Sequence, residues 1–214
     1  MKKYKLIIFD WDGTIVDSFQ KIIFCVQNAA QSIELPIPKD KDIRDIIGLS
    51  FHSAWPTLFP NNHISHLDDF LNYYRDYFYK ESDDSTLFMP VKKLLDDLQD
   101  RDYLLAVATG KGRRGLDHEI AKHNLAKYFI ITKTTSECFS KPNPQMVHEI
   151  LEFTGIDARD AIVIGDSIYD IQMAFNAEVD SIHITDETAP NYEAVTENII
   201  HRVRCISEIK NILC

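Results

Sequence analysis

Three strand-length apolar runs, "KLIIF", "LLAVA" and "AIVIG", each stop abruptly at residues able to do chemistry: "DWDGT" with Asp10 and Asp12, "TGK" with Thr109, and "DS" with Asp166. An unbroken apolar strand is buried on both faces, and strands of that kind belong to parallel sheets covered by helices. Helical patterns separate the later runs, so the chain reads as successive βαβ units. In such sheets ligands bind in the crevice outside the carboxyl ends of the strands. One feature therefore sets the fold class and the place to look for function.

After the first run, Val16, Phe19, Ile22, Ile23, Val26, Ala29, Ala30 and Ile33 recur at three- and four-residue steps, which predicts one amphipathic helix. "ELPIPKDKD" breaks it, and shorter helices are expected over 41–47, 51–59 and 66–79, leaving 15–88 helical and strand-poor. Pro90 suits a first helical position before the stripe Val91, Leu94, Leu95 and Leu98. Strands then follow at "YLLAVATG", "YFIITK", "AIVIGD" and "DSIHIT", with helices over 113–123, 144–153, 169–176 and 191–197. Gly13, Gly110 and Gly165 stand at the strand ends, where tight turns favour glycine.

A chain of 214 residues, 45% hydrophobic and 26% charged, can bury a full core. Its formal charge of −10, with no lysine- or arginine-rich run, argues against a nucleic-acid partner. Cys25, Cys138, Cys205 and Cys214 form no CxxC pair and read as reduced thiols. No stretch approaches the roughly 20 apolar residues of a membrane helix, and the apolar start is too short for a signal peptide. A cytoplasmic location is expected, with no membrane partner; a monomer and a homodimer are both compatible.

Asp10 and Asp12 are two positions apart at a strand end and can face the same crevice. Crowded carboxylates raise a pKa or recruit a cation, so the pair suggests an acid/base couple or a hard-metal site. Asp166 and, one helical turn later, Asp170 extend the set to four carboxylates. Hard oxygen ligands without a dedicated histidine or cysteine point to Mg²⁺, which commonly shares its coordination with a substrate phosphate. Thr109 and Lys141, in "SKPNP", would supply a hydroxyl and a cation for phosphoryl oxygens. Asp10 could then act as a nucleophile, since carboxylates form aspartyl-phosphates. A calcium-loop reading of "DWDGTIVDS" fails, because Gly13 is at the fourth position and not the sixth.

In order, "DWDGT", Thr109, Lys141 and "GDSIYD" resemble the four motifs of the haloacid dehalogenase-like hydrolases, in the phosphoglycolate phosphatase and β-phosphoglucomutase branch, over about residues 5–186. The resemblance implies an α/β fold, a Rossmann-like core of residues 1–15 and 88–214 with a helical cap inserted at 16–87. It implies that Asp10 attacks phosphorus, that Asp12 protonates the leaving oxygen and then activates water, and that Thr109, Gly110 and Lys141 hold the phosphoryl group. Mg²⁺ would bind Asp10, the backbone carbonyl of Asp12 and Asp166, with Asp170 as a ligand through water or as a support. The expected activity is Mg²⁺-dependent hydrolysis of a small phosphorylated metabolite. The second aspartate, Asp12, argues against a dehalogenase.

The chain departs from the branch at Trp11, at "ATGKGRR" and after Asp170, which leaves phosphoglycolate, a sugar phosphate, a nucleotide and pyrophosphate all compatible. Gly48 and Lys111 are further candidates for substrate contact; Arg113 and Arg114 could touch substrate or decorate a helix, and Arg44 and His52 read as helix-face residues. Trp11 could line the leaving-group pocket, with packing against the cap the safer expectation. The "FLNYYRDYFYK" aromatics are expected to be cap core, with one or two at its interface. A phosphomutase is the alternative activity, and a non-enzymatic receiver-type phosphoacceptor domain a distant one.

Overall fold

In the computed structural model, which describes residues 4–61, 64–80, 85–185 and 198–213, six parallel strands form one sheet in the order β5-β4-β1-β6-β7-β8. They are β1 (Leu6–Phe9), β4 (Leu104–Thr109), β5 (Phe129–Thr134), β6 (Ala161–Gly165), β7 (Asp180–Ile184) and β8 (Ile199–Val203). The chain steps outward from β1 through β4 to β5, then returns beside β1 for β6 and runs the other way. Strand order thus reverses at β1, and the crevice opens there. Phe9 lies level with Val107 and Ile164, so the ends of β1, β4 and β6 stand side by side.

Both faces of the sheet are covered. Ile7 and Phe9 of β1 pack with α5 (Val91–Gln99), α6 (Arg113–His123) and α9 (Ile209–Leu213) through Leu95, Leu98, Leu116 and Ile209. Leu6 and Ile8 face the other way, onto α7 (Gln145–Thr154) and α8 (Ile168–Asn176) through Met146, Ile150 and Met173. That alternation of neighbouring side chains between two apolar faces is why β1 reads as an unbroken apolar run.

The helices α1 (Phe19–Ser32), α2 (Asp40–Arg44), α3 (Phe51–Leu58) and α4 (Leu67–Lys80) have an apolar cluster of their own, with Ile23, Val26, Ile43, Trp55 and Phe70 at its centre. A two-stranded antiparallel ribbon, β2 (Val16–Asp17) and β3 (Thr86–Leu87), carries the chain into and out of this helical layer. Val16 therefore belongs to a strand and not to the first helix: it pairs with Leu87, and its N–H is already bonded to the carbonyl of Trp11. Pro90 stands just before α5 in a non-helical conformation, so the helix starts at Val91. Strand β8 carries no period-2 signal, with Ile199 and Ile200 adjacent and His201 and Arg202 exposed, and sequence reading missed it. The expected helix over 191–197 lies outside the described residues. No helix among the described residues is long and apolar enough to cross a membrane.

Candidate active site

The end of β1 is fixed by the Asp10 amide, which donates to the Ile164 carbonyl at 2.9 Å. The chain then curls: the amides of Thr14, Ile15 and Val16 all donate to the Trp11 carbonyl, and Gly13 donates to Val16. Gly13 has φ +85°, and a Cβ there would penetrate the Asp166 carboxylate, so only glycine lets this turn lie against the end of β6.

Asp10, Asp166 and Asp170 converge, with one oxygen of each within 4.8 Å of the others. A single ammonium, the fully buried Nζ of Lys141, donates to Asp10 and, at 2.5 Å, to Asp170. Burial alone would lower the Lys141 pKa, but the two carboxylates outweigh it and hold it above the ordinary lysine value. Burial, helped by the charge of Asp170 and opposed by Lys141, pushes Asp10 up to about 7. Burial and the charges of Asp10 and Asp170 likewise raise Asp166 well above the carboxylate range. The cluster is short of positive charge.

The three carboxylates differ in what is left over. Asp170 is the N3 residue of α8 and forms a capping box: its Oδ2 accepts from the Ser167 amide (3.0 Å) and hydroxyl (2.6 Å) while Oδ1 holds Lys141. Asp166 accepts from the Thr14 hydroxyl at 3.0 Å, and its carbonyl accepts from Nε2 of the buried His183 at 3.1 Å, which makes Nε2 the protonated nitrogen. Asp10 Oδ2 is buried without any partner. A buried, unpaired carboxylate oxygen in a charge-deficient cluster is the fit expected for a hard divalent cation, and the donors present are all oxygen.

Asp12 lies on the other side of the turn, accepting from the Ser18 hydroxyl at 2.6 Å and paired with Lys111 Nζ at 3.0 Å. Lys111 in turn sits 3.6 Å from Glu119, a fully buried carboxylate that also accepts from Trp11 Nε1 at 2.5 Å and Ser85 Oγ at 3.4 Å. Burial raises the pKa of Glu119, opposed by Lys111. Trp11 is thus anchored inside the main core, edge-on to Phe129, and lines neither the leaving-group space nor the helical layer. Thr109 is buried at the end of β4, its hydroxyl accepting from the Lys111 amide.

Between these strand ends and the helical layer lies a cavity of about 600 Å³, lined by Asp12, Gly110 and Lys111 on one side and by Gly48, Phe51 and Tyr74 among others on the opposite side. A Cβ on Gly110 would strike the Gly48 carbonyl, so glycine is needed where the two layers touch. Arg113 is tied to Glu137, Asp117 and Thr132, whereas Arg114 lies over the Tyr79 ring. Arg44 lies over Phe19, and His52 lines the cavity. Of the aromatic run, Phe70 is in the helical core, and Phe78 lies beneath Lys111, 4.8 Å from ring centre to Nζ.

The motif residues Asp10, Asp12, Thr109, Lys141, Asp166 and Asp170 thus sit at one end of the sheet. Sequence reading missed Thr14, Ser18, Glu119, His183 and the cavity role of Tyr74. Glu119 left a trace: it follows Leu116 by three residues, a charge on the apolar stripe of α6.

The family model described as haloacid dehalogenase-like hydrolase matches residues 7–184. The chain is similar to a phosphoglycolate phosphatase of Vibrio parahaemolyticus, 28% identical over 193 residues, covering 85% of this chain and 83% of the relative. It is also similar to the pyrophosphatase PpaX of Listeria monocytogenes, 28% identical over 180 residues, covering 82% of this chain and 81% of the relative. Among solved structures, a predicted phosphoglycolate phosphatase of Haemophilus somnus superposes with a TM-score of 0.87 at 20% identity, over 100% of both chains; at that identity the likeness speaks for the fold.

Proposed function

Because this chain belongs to the haloacid dehalogenase-like hydrolases and is a phosphatase of that family, we propose that it hydrolyses a small phosphorylated metabolite through an aspartyl-phosphate on Asp10, with Mg²⁺ as cofactor. The observation that carries the reading is the buried Asp10 carboxylate, one oxygen on Lys141 and the other without a partner, in a cluster short of positive charge. Residues 16–87 act as a cap over the core of 1–15 and 88–214, closing the cavity against bulk water.

In this mechanism an Asp10 oxygen attacks phosphorus, and the bond to the leaving oxygen breaks as Asp12 delivers its proton to that oxygen. Asp12, now a carboxylate, takes a proton from water; the water oxygen attacks the phosphoryl group, and the acyl-phosphate bond breaks to return Asp10 and release phosphate. The Thr109 hydroxyl, the Gly110 backbone and the Lys141 ammonium hold the phosphoryl oxygens. Ser18 and Lys111 both hold Oδ1 of Asp12, which leaves Oδ2 as the oxygen that carries the proton before it is delivered. Mg²⁺, held by Asp10, the Asp12 carbonyl and Asp166, would offset the charge of the phosphoryl group; Asp170, with both oxygens engaged by protein donors, supports Lys141.

The test is phosphate release from a panel of phosphorylated metabolites, beginning with phosphoglycolate and pyrophosphate, with and without Mg²⁺ and beside Asp10→Asn. Release that requires both Mg²⁺ and Asp10 is the expected result. Equal release by the folded variant would remove Asp10 as nucleophile, and silence of the wild type across the panel would overturn the reading.

A further inference from the structure

The cavity beside Asp12 is divided by chemistry. Charged groups line part of it, among them Asp12, Lys111, Asp68 and Arg75, but much of the wall on the helical layer is built from Ile47, Leu49, Phe51, Leu71, Tyr74 and Phe78. Phe51 and Tyr74 form an edge-to-face pair at 4.6 Å, so part of the wall is a fixed aromatic corner. The space, about 600 Å³, falls within the roughly 300–1,000 Å³ typical of pockets that enclose a ligand of drug size. A two-carbon phosphoester such as phosphoglycolate would leave most of it unfilled.

Two of the cations lining the cavity are committed to carboxylates. Lys111 is shared between Asp12 and Glu119, and Arg113 is tied to Glu137 and Asp117. Arg75 and Arg114 line the cavity with Asp68; Arg75 donates to the Asn72 side-chain carbonyl at 3.1 Å and Arg114 lies over the Tyr79 ring. A second anionic group seated directly against Phe51, Leu71 and Tyr74 would lose its water among side chains that carry no charge. An apolar group placed there gains about 0.8 kcal/mol for each methylene removed from water, about fourfold in an equilibrium constant.

We infer that the leaving group of this phosphatase is an alcohol with an uncharged, apolar body, aliphatic or aromatic, seated against Phe51, Leu71 and Tyr74. The inference rests on the phosphatase reading above and names its substrate class. Hydrolysis is the same step: the alcohol oxygen leaves phosphorus with one proton, and water supplies the oxygen that replaces it.

The experiment uses monoesters whose alcohols are all primary, so that leaving-group acidity changes little: ethyl, butyl, hexyl and 2-phenylethyl phosphate, beside phosphoglycolate and pyrophosphate. Expected is a kcat/KM that rises along the series, by up to about fourfold per methylene, and exceeds that for both anionic compounds. In Phe51→Asn and Leu71→Asn the slope along the series should flatten, whatever the absolute rate; two variants guard against one that fails to fold. A flat or falling series, or a preference for phosphoglycolate or pyrophosphate, overturns this inference and leaves the phosphatase reading standing. No release from any compound overturns both.

Discussion

The end of the sheet and the helical layer face each other across one cavity and are built on opposite principles. At the sheet end each charged group sits at a strand end or in the first turn after it: Asp10 is placed by the hydrogen bond its amide donates to the Ile164 carbonyl, Asp170 by its capping box, and Asp166 by the Thr14 hydroxyl and His183. Across the cavity the wall is assembled from side chains on two helices and a loop, far apart in sequence and fixed by packing on one another. The carboxylates are thus written in short segments at strand ends, although the partners that hold them, Lys141 for Asp10 and His183 for Asp166, come from elsewhere in the chain. Recognition is written in the shape of a cluster, which no short segment contains.

The largest effect that would break this contrast lies at Lys141. Replacing it in Lys141→Met leaves three clustered carboxylates, Asp10 and Asp170 of them buried, without the ammonium they share, and removing one partner of a buried pair costs about 3–5 kcal/mol. A loss of about 10²–10³ in kcat is expected as well, the usual effect of deleting one donor to developing charge. Substrate preference along the ester series should stay as it was. A changed preference would show that the sheet end also selects the substrate.

Phe70 tests the other side. It is fully buried among Phe51, Trp55, Phe59 and Tyr74, and Phe70→Ala should cost about 3–5 kcal/mol. Hydrogen exchange should speed up in α1, α3 and α4 and stay slow in β1, β4 and β6, because the helical layer has its own cluster. Equal acceleration in both regions would mean that they unfold as one unit.

A smaller effect follows from Asp10 itself, which burial lifts from 3.8 to about 7. The folded, metal-free protein then keeps a proton that the unfolded chain gives up. Its contribution to stability is complete below about pH 4 and is lost as pH rises through about 7. Chelator-treated protein should therefore melt lower at pH 8 than at pH 5.5, by roughly 2–4 °C for each kcal/mol lost, and Mg²⁺ should narrow the gap. A melting temperature indifferent to pH and to Mg²⁺ would contradict a charge-deficient cluster.

The same contrast explains what could be read from the sequence. The parallel sheet was legible because two-sided burial forces unbroken apolar runs, and Asp10, Thr109 and Asp166 were legible because strand ends put them where a crevice must form. Ser18, Glu119 and His183 were hidden: each is a common residue whose importance depends on a partner 6, 108 and 17 positions away respectively, and periodicity does not encode partners. Val16 was misread because a two-residue ribbon is shorter than any period that could reveal it. Strand β8 was missed because its exposed His201 and Arg202 hide the apolar pattern.

The smallest predicted effect concerns the seam between the two regions. The Ser50 amide, at the N-terminus of α3, donates to the Ser140 hydroxyl at 2.8 Å, one residue before Lys141. This bond links the helical layer to the loop that carries the buried cation, with the Tyr169 hydroxyl donating to the Asp45 carbonyl at 3.2 Å as a second link. Ser140→Ala removes an ordinary hydrogen bond, about 1 kcal/mol, and leaves Lys141 and its carboxylates in place. Closure over the substrate should weaken while the chemical step is spared, so KM should rise about fivefold with kcat nearly unchanged. A fall in kcat with KM unchanged would mean instead that the seam positions Lys141, and that the two regions divide their labour less cleanly than their construction implies.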